Sequence, residues 1–250
     1  MFSIFKKKPK DPAELCFNTD IHCHLVPGVD DGSPDAATSA DLIERMQGWG
    51  IKRILTSPHV TQNTFENDRT TIAPAMAELH QELDRRGNNI HIENHAEYRI
   101  DEFFAKYLEK NDLMLLPDNH ILIENSYMQE PWNLDQLVFD LQVKGLSPIL
   151  AHPERYIYYY THKNRYQELH NAGLMFQINL LSLAGSYGKP EQKMAEHLIK
   201  EGLVDFIGTD LHNRRHADCI DQYLRTSDAY SHMADLCGLV RNNKVFSPDK

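Results

Sequence analysis

The sequence predicts an α/β fold built on a parallel sheet, and three observations predict it. Short apolar runs alternate with longer stretches of helical spacing along the whole chain, the pattern of β/α units. The runs are apolar throughout rather than alternating, as strands covered on both faces are. Gly145, Gly173 and Gly202 each follow a helical stretch and precede a strand, where a C-terminal glycine cap belongs. Seven such units in 250 residues can close into one barrel, with an open doubly wound sheet as the alternative. No GxGxxG or P-loop follows the first strand, which weighs against a nucleotide-binding open sheet.

The elements are expected in this order. A strand at 19–22 leads to a helix at 35–48, opened by Ser33-Pro34 with Pro34 in its first turn and ended by Gly48 or Gly50. Strand and helix then alternate at 53–56 and 67–86, 90–96 and 100–109, and 121–124 and 133–144. They continue at 147–151 and 163–171, 175–179 and 190–200, and 204–208 with a tail helix from about 216 to 237.

Composition narrows the function. With 41% hydrophobic and 25% charged residues the chain can form a full core, which excludes global disorder. Lys+Arg of 26 against Asp+Glu of 36, net −10, argues against a nucleic-acid binder. It does not exclude an anionic substrate, because an acidic cluster loaded with divalent ions presents a positive face. The cysteines, Cys16, Cys23, Cys219 and Cys237, form no CxxC pair, so reduced thiols in a cytoplasmic protein are expected. The N-terminal MFSIFKKKPKDP runs apolar then basic, the reverse of a signal peptide, and reads as a frayed, solvated tail. No run of about 18 apolar residues is present, so no membrane span is expected.

The 14 histidines carry the chemistry. All but one of the expected strands run into His, Asp or Glu: His22 and His24, His59, Glu97, Glu124, His152, and Asp210 with His212. In a β/α barrel the carboxyl ends of the strands face one bowl, where active sites lie. His22 and His24, like Asp210 and His212, are two apart, so an extended backbone turns both to one side. Asp31 reaches back from the loop that Gly32 turns. Nine N and O ligands without cysteine exceed what one ion needs and suit two or three divalent ions; Mn, Fe, Zn and Mg all fit such donors. Adjacent ions point to hydrolysis by hydroxide bridged between them. Arg155, three residues past His152, sits at the rim as a bidentate phosphate grip. No GxSxG or CxxxxxR nucleophile is present.

Weaker candidates compete. Glu93 is expected on the same face as Glu97 but lower, and Asp30 competes with Asp31. Asp20 is a candidate orienting partner for a ligand histidine. His216, beside Arg214 and Arg215, is read either as an anion contact or as a solvated loop residue. Tyr156, Tyr158, Tyr159 and Tyr160, joined by Phe65, Tyr98 and Tyr127, are either packing or a wall for an aromatic leaving group.

The segments DIHCHLVPGVDDG at 20–32, TSPH at 56–59, HAEY at 95–98, LIE at 122–124, AHPERY at 151–156 and GTDLHN at 208–213 resemble the polymerase-and-histidinol-phosphatase superfamily. Within it they look like the bacterial capsular and exopolysaccharide protein-tyrosine phosphatases. That resemblance implies a distorted (β/α)7 TIM-like barrel over 18–250, with a flexible extension at 1–17 outside the pattern. It implies a trinuclear site, most often Mn with Fe or Co in relatives, held by the nine ligands above, with Arg155 binding phosphate. The implied substrate is phosphotyrosine in a protein, a tyrosine autokinase that controls capsule or exopolysaccharide synthesis. Val60 and Thr61 stand where relatives frequently carry basic residues or histidine. Asp31, His212 and metal-bound water are the candidates for general acid. A small-molecule phosphomonoesterase such as a histidinol phosphatase and a non-catalytic metal-binding scaffold are the alternatives.

Overall fold

The computed structural model describes residues 11–110 and 112–247. Its first half runs β1 (Thr19–Asp20), α1 (Ala36–Gly48), β2 (Arg53–Thr56), β3 (His59–Val60), α2 (Arg69–Arg86), β4 (His91–Asn94), β5 (Glu97–Arg99), α3 (Phe104–Lys110) and β6 (His120–Glu124). The second half runs α4 (Leu134–Val143), β7 (Ser147–Ala151), α5 (Asn164–Asn171), β8 (Met175–Asn179), α6 (Leu180–Leu183), α7 (Lys189–Lys200), β9 (Phe206–Gly208), α8 (Arg214–Tyr223), α9 (Ser227–Leu236) and α10 (Asn242–Val245).

Every strand pairing is parallel, in two sheets ordered β1-β2-β4 and β3-β5-β6-β7-β8-β9. Two short further strands, β3 after the expected 53–56 and β5 after a break inside the expected 90–96, raise the count above seven. Ser57-Pro58 separates β2 from β3, Pro58 having no N–H to give a ladder. His95-Ala96 separates β4 from β5. Backbone bonds cross the interruptions, His95 N to Thr56 O at 2.9 Å and Glu97 N to Pro58 O at 3.1 Å. On the far side Asp210 N donates to His22 O at 2.7 Å, His24 N donates to Leu211 O at 2.9 Å, and Cys23 bridges Leu211 in parallel. The mixed α/β architecture is as expected. In place of one continuous ring of strands stand two parallel sheets joined along these two seams.

Period-two geometry explains the apolar runs. Ile121, Ile123, Leu150 and Ile207 pack with the large cluster that includes the helices. Their neighbours Leu122, Ile149, Ala151 and Phe206 pack with Ile21, Leu55 and Phe246 in a second cluster. Each fully buried side chain of this size stabilises the fold by roughly 1.5–3 kcal/mol. Gly145, Gly173 and Gly202 all have positive φ, at 76°, 89° and 69°, and end α4, α5 and α7 as expected.

Two expectations are corrected, in the first helix and in the tail helix. The first helix is capped by Asp35, whose carboxylate accepts from Thr38 N, so Pro34 precedes the helix instead of lying in its first turn. The tail helix is two helices, because Thr226 Oγ1 accepts from Ala229 N and starts α9 anew. Residues 1–10 of the expected extension lie outside the described residues; of the rest, Ala13 and Phe17 are buried and Ala13 N donates to Leu224 O at 2.7 Å. The four cysteines are free. No helix among the described residues is long and apolar enough to cross a membrane.

Asp205 fastens the entry of β9. Its Oδ2 accepts from Phe176 N at 3.0 Å and from His170 Nε2 at 2.9 Å. Burial pushes its carboxyl up, but the His170 hydrogen bond outweighs that and the net direction is down. A carboxyl depressed in the folded state stabilises above its unfolded value, and that stability is lost as pH falls through the folded one. Asp205→Ala is therefore expected to destabilise by about 1–3 kcal/mol at pH 7 in urea titrations. The gap from the unaltered protein should hold down to about pH 4 and narrow below it, as pH falls towards the depressed folded value; a gap that does not change there would show that the carboxylate charge is not what matters.

Candidate metal centre

The nine expected ligands converge at the carboxyl ends of the strands. His22, His24, Glu97, Glu124, His152 and Asp210 are buried, each at 2% exposure or less. His59 and His212 are half-buried, and Asp31 is exposed at the rim. Their donor atoms fall into four groups, each within 4.8 Å: His24–Asp31–His59–His212, His22–Glu97–His152, His22–His24–Asp210 and His59–Glu97–Glu124. Shared members link all four.

The fit to metal ions rests on Glu97. Its Oε2 is buried and accepts no hydrogen bond, yet His59 Nδ1, His22 Nε2 and His24 Nε2 lie 3.0, 3.4 and 3.5 Å away. His152 Nδ1 is buried and unpartnered as well. Nitrogen and carboxylate oxygen converging without donor geometry is a donor set for divalent ions of the Mn, Fe or Zn kind.

The outer atoms are tied down, which turns the inner ones to the centre. The Gln177 amide donates to Ile178 O and Asn179 Oδ1, so its Oε1 accepts from His22 Nδ1 at 2.6 Å and leaves His22 Nε2 inward. His24 Nδ1 donates to Asp30 Oδ2 at 2.8 Å, and His59 N donates to the same oxygen at 3.0 Å. Asp30 thus orients His24, while Asp31 Oδ1 lies 3.6 Å from His59 Nε2 and 3.5 Å from His212 Nε2. Asp210 Oδ2 takes Asn179 Nδ2 at 2.6 Å, Tyr187 OH at 2.9 Å and Arg155 Nη1 at 3.0 Å. Its Oδ1 is left 3.4–3.5 Å from His22, His24 and His212. Arg99 Nη1 holds Glu124 Oε2 at 2.8 Å. His152 and Asp210 both sit at positive φ, 34° and 52°, conformations a non-glycine residue keeps only where its surroundings enforce them.

Several sequence readings change. Asp20 orients no imidazole: it accepts from His22 N and from Thr209 N and Oγ1, stitching β1 to the end of β9. Burial raises its carboxyl to about 6. Glu93 is on the outside, paired with Arg53 at 2.9 Å and His91 at 3.0 Å, because the His95-Ala96 break puts it out of phase with Glu97. Tyr156, Tyr158, Tyr159 and Tyr160 are packing: their hydroxyls bond Ala151 O, Ser126 O, Asn125 Nδ2 and Glu154 O. Tyr98 is buried, with its hydroxyl taken by Met114 N. Phe65 stacks on His59 at 5.6 Å and Tyr127 on His152 at 5.8 Å, and both line the cleft. His216 also lines it, its Nδ1 3.3 Å from Asp210 O, while Arg214 is paired outside with Asp41.

Gln177, Asn179, Tyr187, Arg99 and Glu154 were passed over. Gln177 and Asn179 did carry a signal, two polar residues two apart in an apolar strand. Glu154 is buried, and Asn179 N and Ser182 Oγ donate to its Oε1, which pins the turn that carries Arg155. Burial raises its carboxyl to about 7. The cleft over the centre measures about 1140 Å³ and runs out past Ile100 and Phe104 to Trp132, which is 95% exposed.

The chain matches the family model described as capsular polysaccharide synthesis, CpsB/CapC, over residues 18–225. It is 33% identical over 195 residues to the tyrosine-protein phosphatase YwqE of Bacillus subtilis (strain 168), covering 78% of this chain and 77% of that one. It is 29% identical over 234 residues to the tyrosine-protein phosphatase CpsB of Streptococcus agalactiae, covering 91% and 94%. Crystal structures of YwqE from Bacillus subtilis and CpsB from Streptococcus pneumoniae are described as those of unique metal-dependent tyrosine phosphatases. The similarity to them has a TM-score of 0.76 at 30% identity, covering 91% of this chain and 96% of the solved one.

Without metal, the carboxylates raise His22, His24 and His59 above the ordinary imidazole value, whereas burial lowers His152. Burial pulls His22 down, but Glu97 and Asp210 outweigh it and raise it to about 9. An ion must displace that proton, and with a raised value the competition persists until pH passes about 9. Affinity for Mn2+, followed by isothermal titration from pH 6.5 to 8.5, is expected to rise with pH, by up to about tenfold per unit for each proton displaced. A flat profile would remove His22 from the ligand set.

Proposed function

This chain belongs to the capsular polysaccharide synthesis CpsB/CapC family, and on that footing we propose that it is a metal-dependent phosphatase that hydrolyses phosphotyrosine in proteins. The observation that carries the reading is the convergence of nine imidazole and carboxylate side chains, without cysteine, in four linked clusters that include the unpartnered Glu97 Oε2. His22, His24, Asp31, His59, Glu97, Glu124, His152, Asp210 and His212 would hold two or three divalent ions, with Mn favoured. We also read the two parallel sheets as one distorted (β/α)7 barrel, supported by the seams at Ser57-Pro58, His95-Ala96 and Cys23–Leu211.

Bound ions supply Lewis acidity that neutralises phosphoryl charge and lowers the pKa of water. The chain's own residues do the rest. Arg155 binds phosphoryl oxygens from the rim: its Nη1 is on Asp210, and its other N–H groups make no hydrogen bond among the described residues. Burial pulls its guanidinium down, but the facing tyrosines and Asp210 outweigh that, so it stays charged. Asp210, Glu97 and the histidines fix where the phosphorus sits relative to Arg155, the positioning that dominates phosphoryl transfer.

Two further points favour a phosphotyrosyl protein over a small alkyl phosphate. A phenolate leaves with a pKa of about 10, far below an alkyl alcohol, so no dedicated general acid is needed. The cleft, about 1140 Å³, exceeds the ~300–1,000 Å³ common for small-molecule pockets. A tyrosine autokinase acting in capsule or exopolysaccharide synthesis is the substrate that fits the family best.

Phosphate release from a phosphotyrosyl peptide by chelator-stripped protein is expected to require an added divalent ion. Glu97→Gln should lower kcat/KM by at least about 100-fold, since even outer-shell changes reduce metal-site activity by 10–100-fold. Arg155→Ala should lower it by about 10–100-fold, the size of a lost charge-assisted hydrogen bond. Faster turnover of histidinol phosphate would move the activity to a small-molecule phosphatase. No turnover of either substrate by protein shown to hold its ions would leave a non-catalytic metal protein.

A further inference from the structure

Arg155 is not a free rim arginine. Its guanidinium carbon lies 4.0 Å from the ring centroid of Tyr187 and 4.9 Å from that of Tyr127. Tyr127 in turn has Arg99 at 5.7 Å from its ring. The hydroxyls add direction. Tyr187 OH donates to Asp210 Oδ2, the same oxygen that takes Arg155 Nη1. Tyr127 OH lies 3.4 Å from His152 Nε2. Both rings line the cleft.

A guanidinium is planar and weakly hydrated, and it stacks on aromatic faces with more gain as water is excluded. A long side chain otherwise loses rotamer freedom whenever it is ordered on a ligand. Two rings in contact with Arg155 remove that freedom in advance. Its one carboxylate contact occupies Nη1, which leaves the remaining fork of donors for an anion. Tyr187 further ties the arginine and Asp210 into one unit, so the phosphate grip and a candidate metal ligand keep a fixed separation.

Resting on the phosphatase reading above, we propose that Tyr127 and Tyr187 are positioning residues that clamp the Arg155 guanidinium between their rings and thereby set its affinity for the phosphoryl group. Their contribution runs through Arg155, and Asp210 is the point at which the clamp meets the metal ligands.

The test is a double-mutant series on the metal-loaded protein: Tyr127→Leu, Tyr127→Phe, Tyr187→Leu and Tyr187→Phe, each alone and with Arg155→Ala. Kinetics on a phosphotyrosyl peptide and calorimetric affinity for orthophosphate are measured on every protein, with metal content as control. Each leucine variant is expected to raise KM and weaken orthophosphate about tenfold, the size of one desolvated cation–π contact. Tyr127→Phe should recover most of that loss. Tyr187→Phe should recover less, because it also releases Asp210. With Arg155 already replaced, the leucine substitutions should change neither KM nor orthophosphate affinity by more than about twofold. Equal losses with and without Arg155 overturn the clamp, as do equal losses from phenylalanine and leucine at position 127. If the unaltered protein binds orthophosphate but releases none from the peptide, the phosphatase reading falls, and the orthophosphate series still decides the clamp. If the unaltered protein binds no orthophosphate, the clamp falls as well.

Discussion

The carboxyl end of the two sheets is organised by one constraint: Glu97 sets a dry carboxylate against three imidazole nitrogens. An ionisable group held at 1% exposure is costly unless opposite charge faces it closely. His22, His24 and His59 supply that charge in the metal-free protein, and divalent ions would supply it when bound. The surrounding polar residues follow from this. Gln177, Asp30, Asn179 and Arg99 each take an outer atom of a centre residue, so no inner atom can swing to a competing partner. The positive φ of His152 and Asp210 belongs to the same arrangement: ordinary strand geometry would carry these side chains past the centre.

The sequence made most of this legible where periodicity and strand ends carried it. β2, β7 and β8 have the bounds that their apolar runs suggest, and all nine candidate ligands meet at one end of the sheets. What could not be read depended on contacts between distant segments. Asp30 and Asp31 are neighbours in sequence; only the approach of His24 and His59 separates their roles. An unbroken strand through 90–96 would turn Glu93 to the same face as Glu97; the break at His95-Ala96 changes the phase. Tyr187 lies in a loop after α6 with no pattern around it, and only the fold brings its ring onto Arg155.

The aromatic residues divide along the same line. Four consecutive-looking tyrosines after Arg155 suggested a surface for an aromatic group, yet their hydroxyls find main-chain and Asn125 partners and fasten the turn from within. Among the rings that line the cleft, Phe65, Tyr127 and Tyr187 come from three separate loops. A net charge of −10 does not exclude an anionic substrate, since two arginines of the cleft, Arg155 and Arg99, face the carboxylates of Asp210 and Glu124.

The seam between the first and last strands has a consequence for biosynthesis. At the end of the sheets away from the centre, Asn242 Nδ2 donates to Thr19 O at 2.9 Å and to Ile207 O at 2.7 Å, and its Oδ1 accepts from Ile207 N. Phe246 O accepts from Thr19 Oγ1 at 3.1 Å. A chain emerging from the ribosome therefore holds β1 without the partners on this side until residues 207–246 are made. Contacts across more than 200 residues form slowly, and an open strand edge invites pairing with other chains meanwhile. The seam is short, with only two residues in β1, which keeps that exposed edge small during translation.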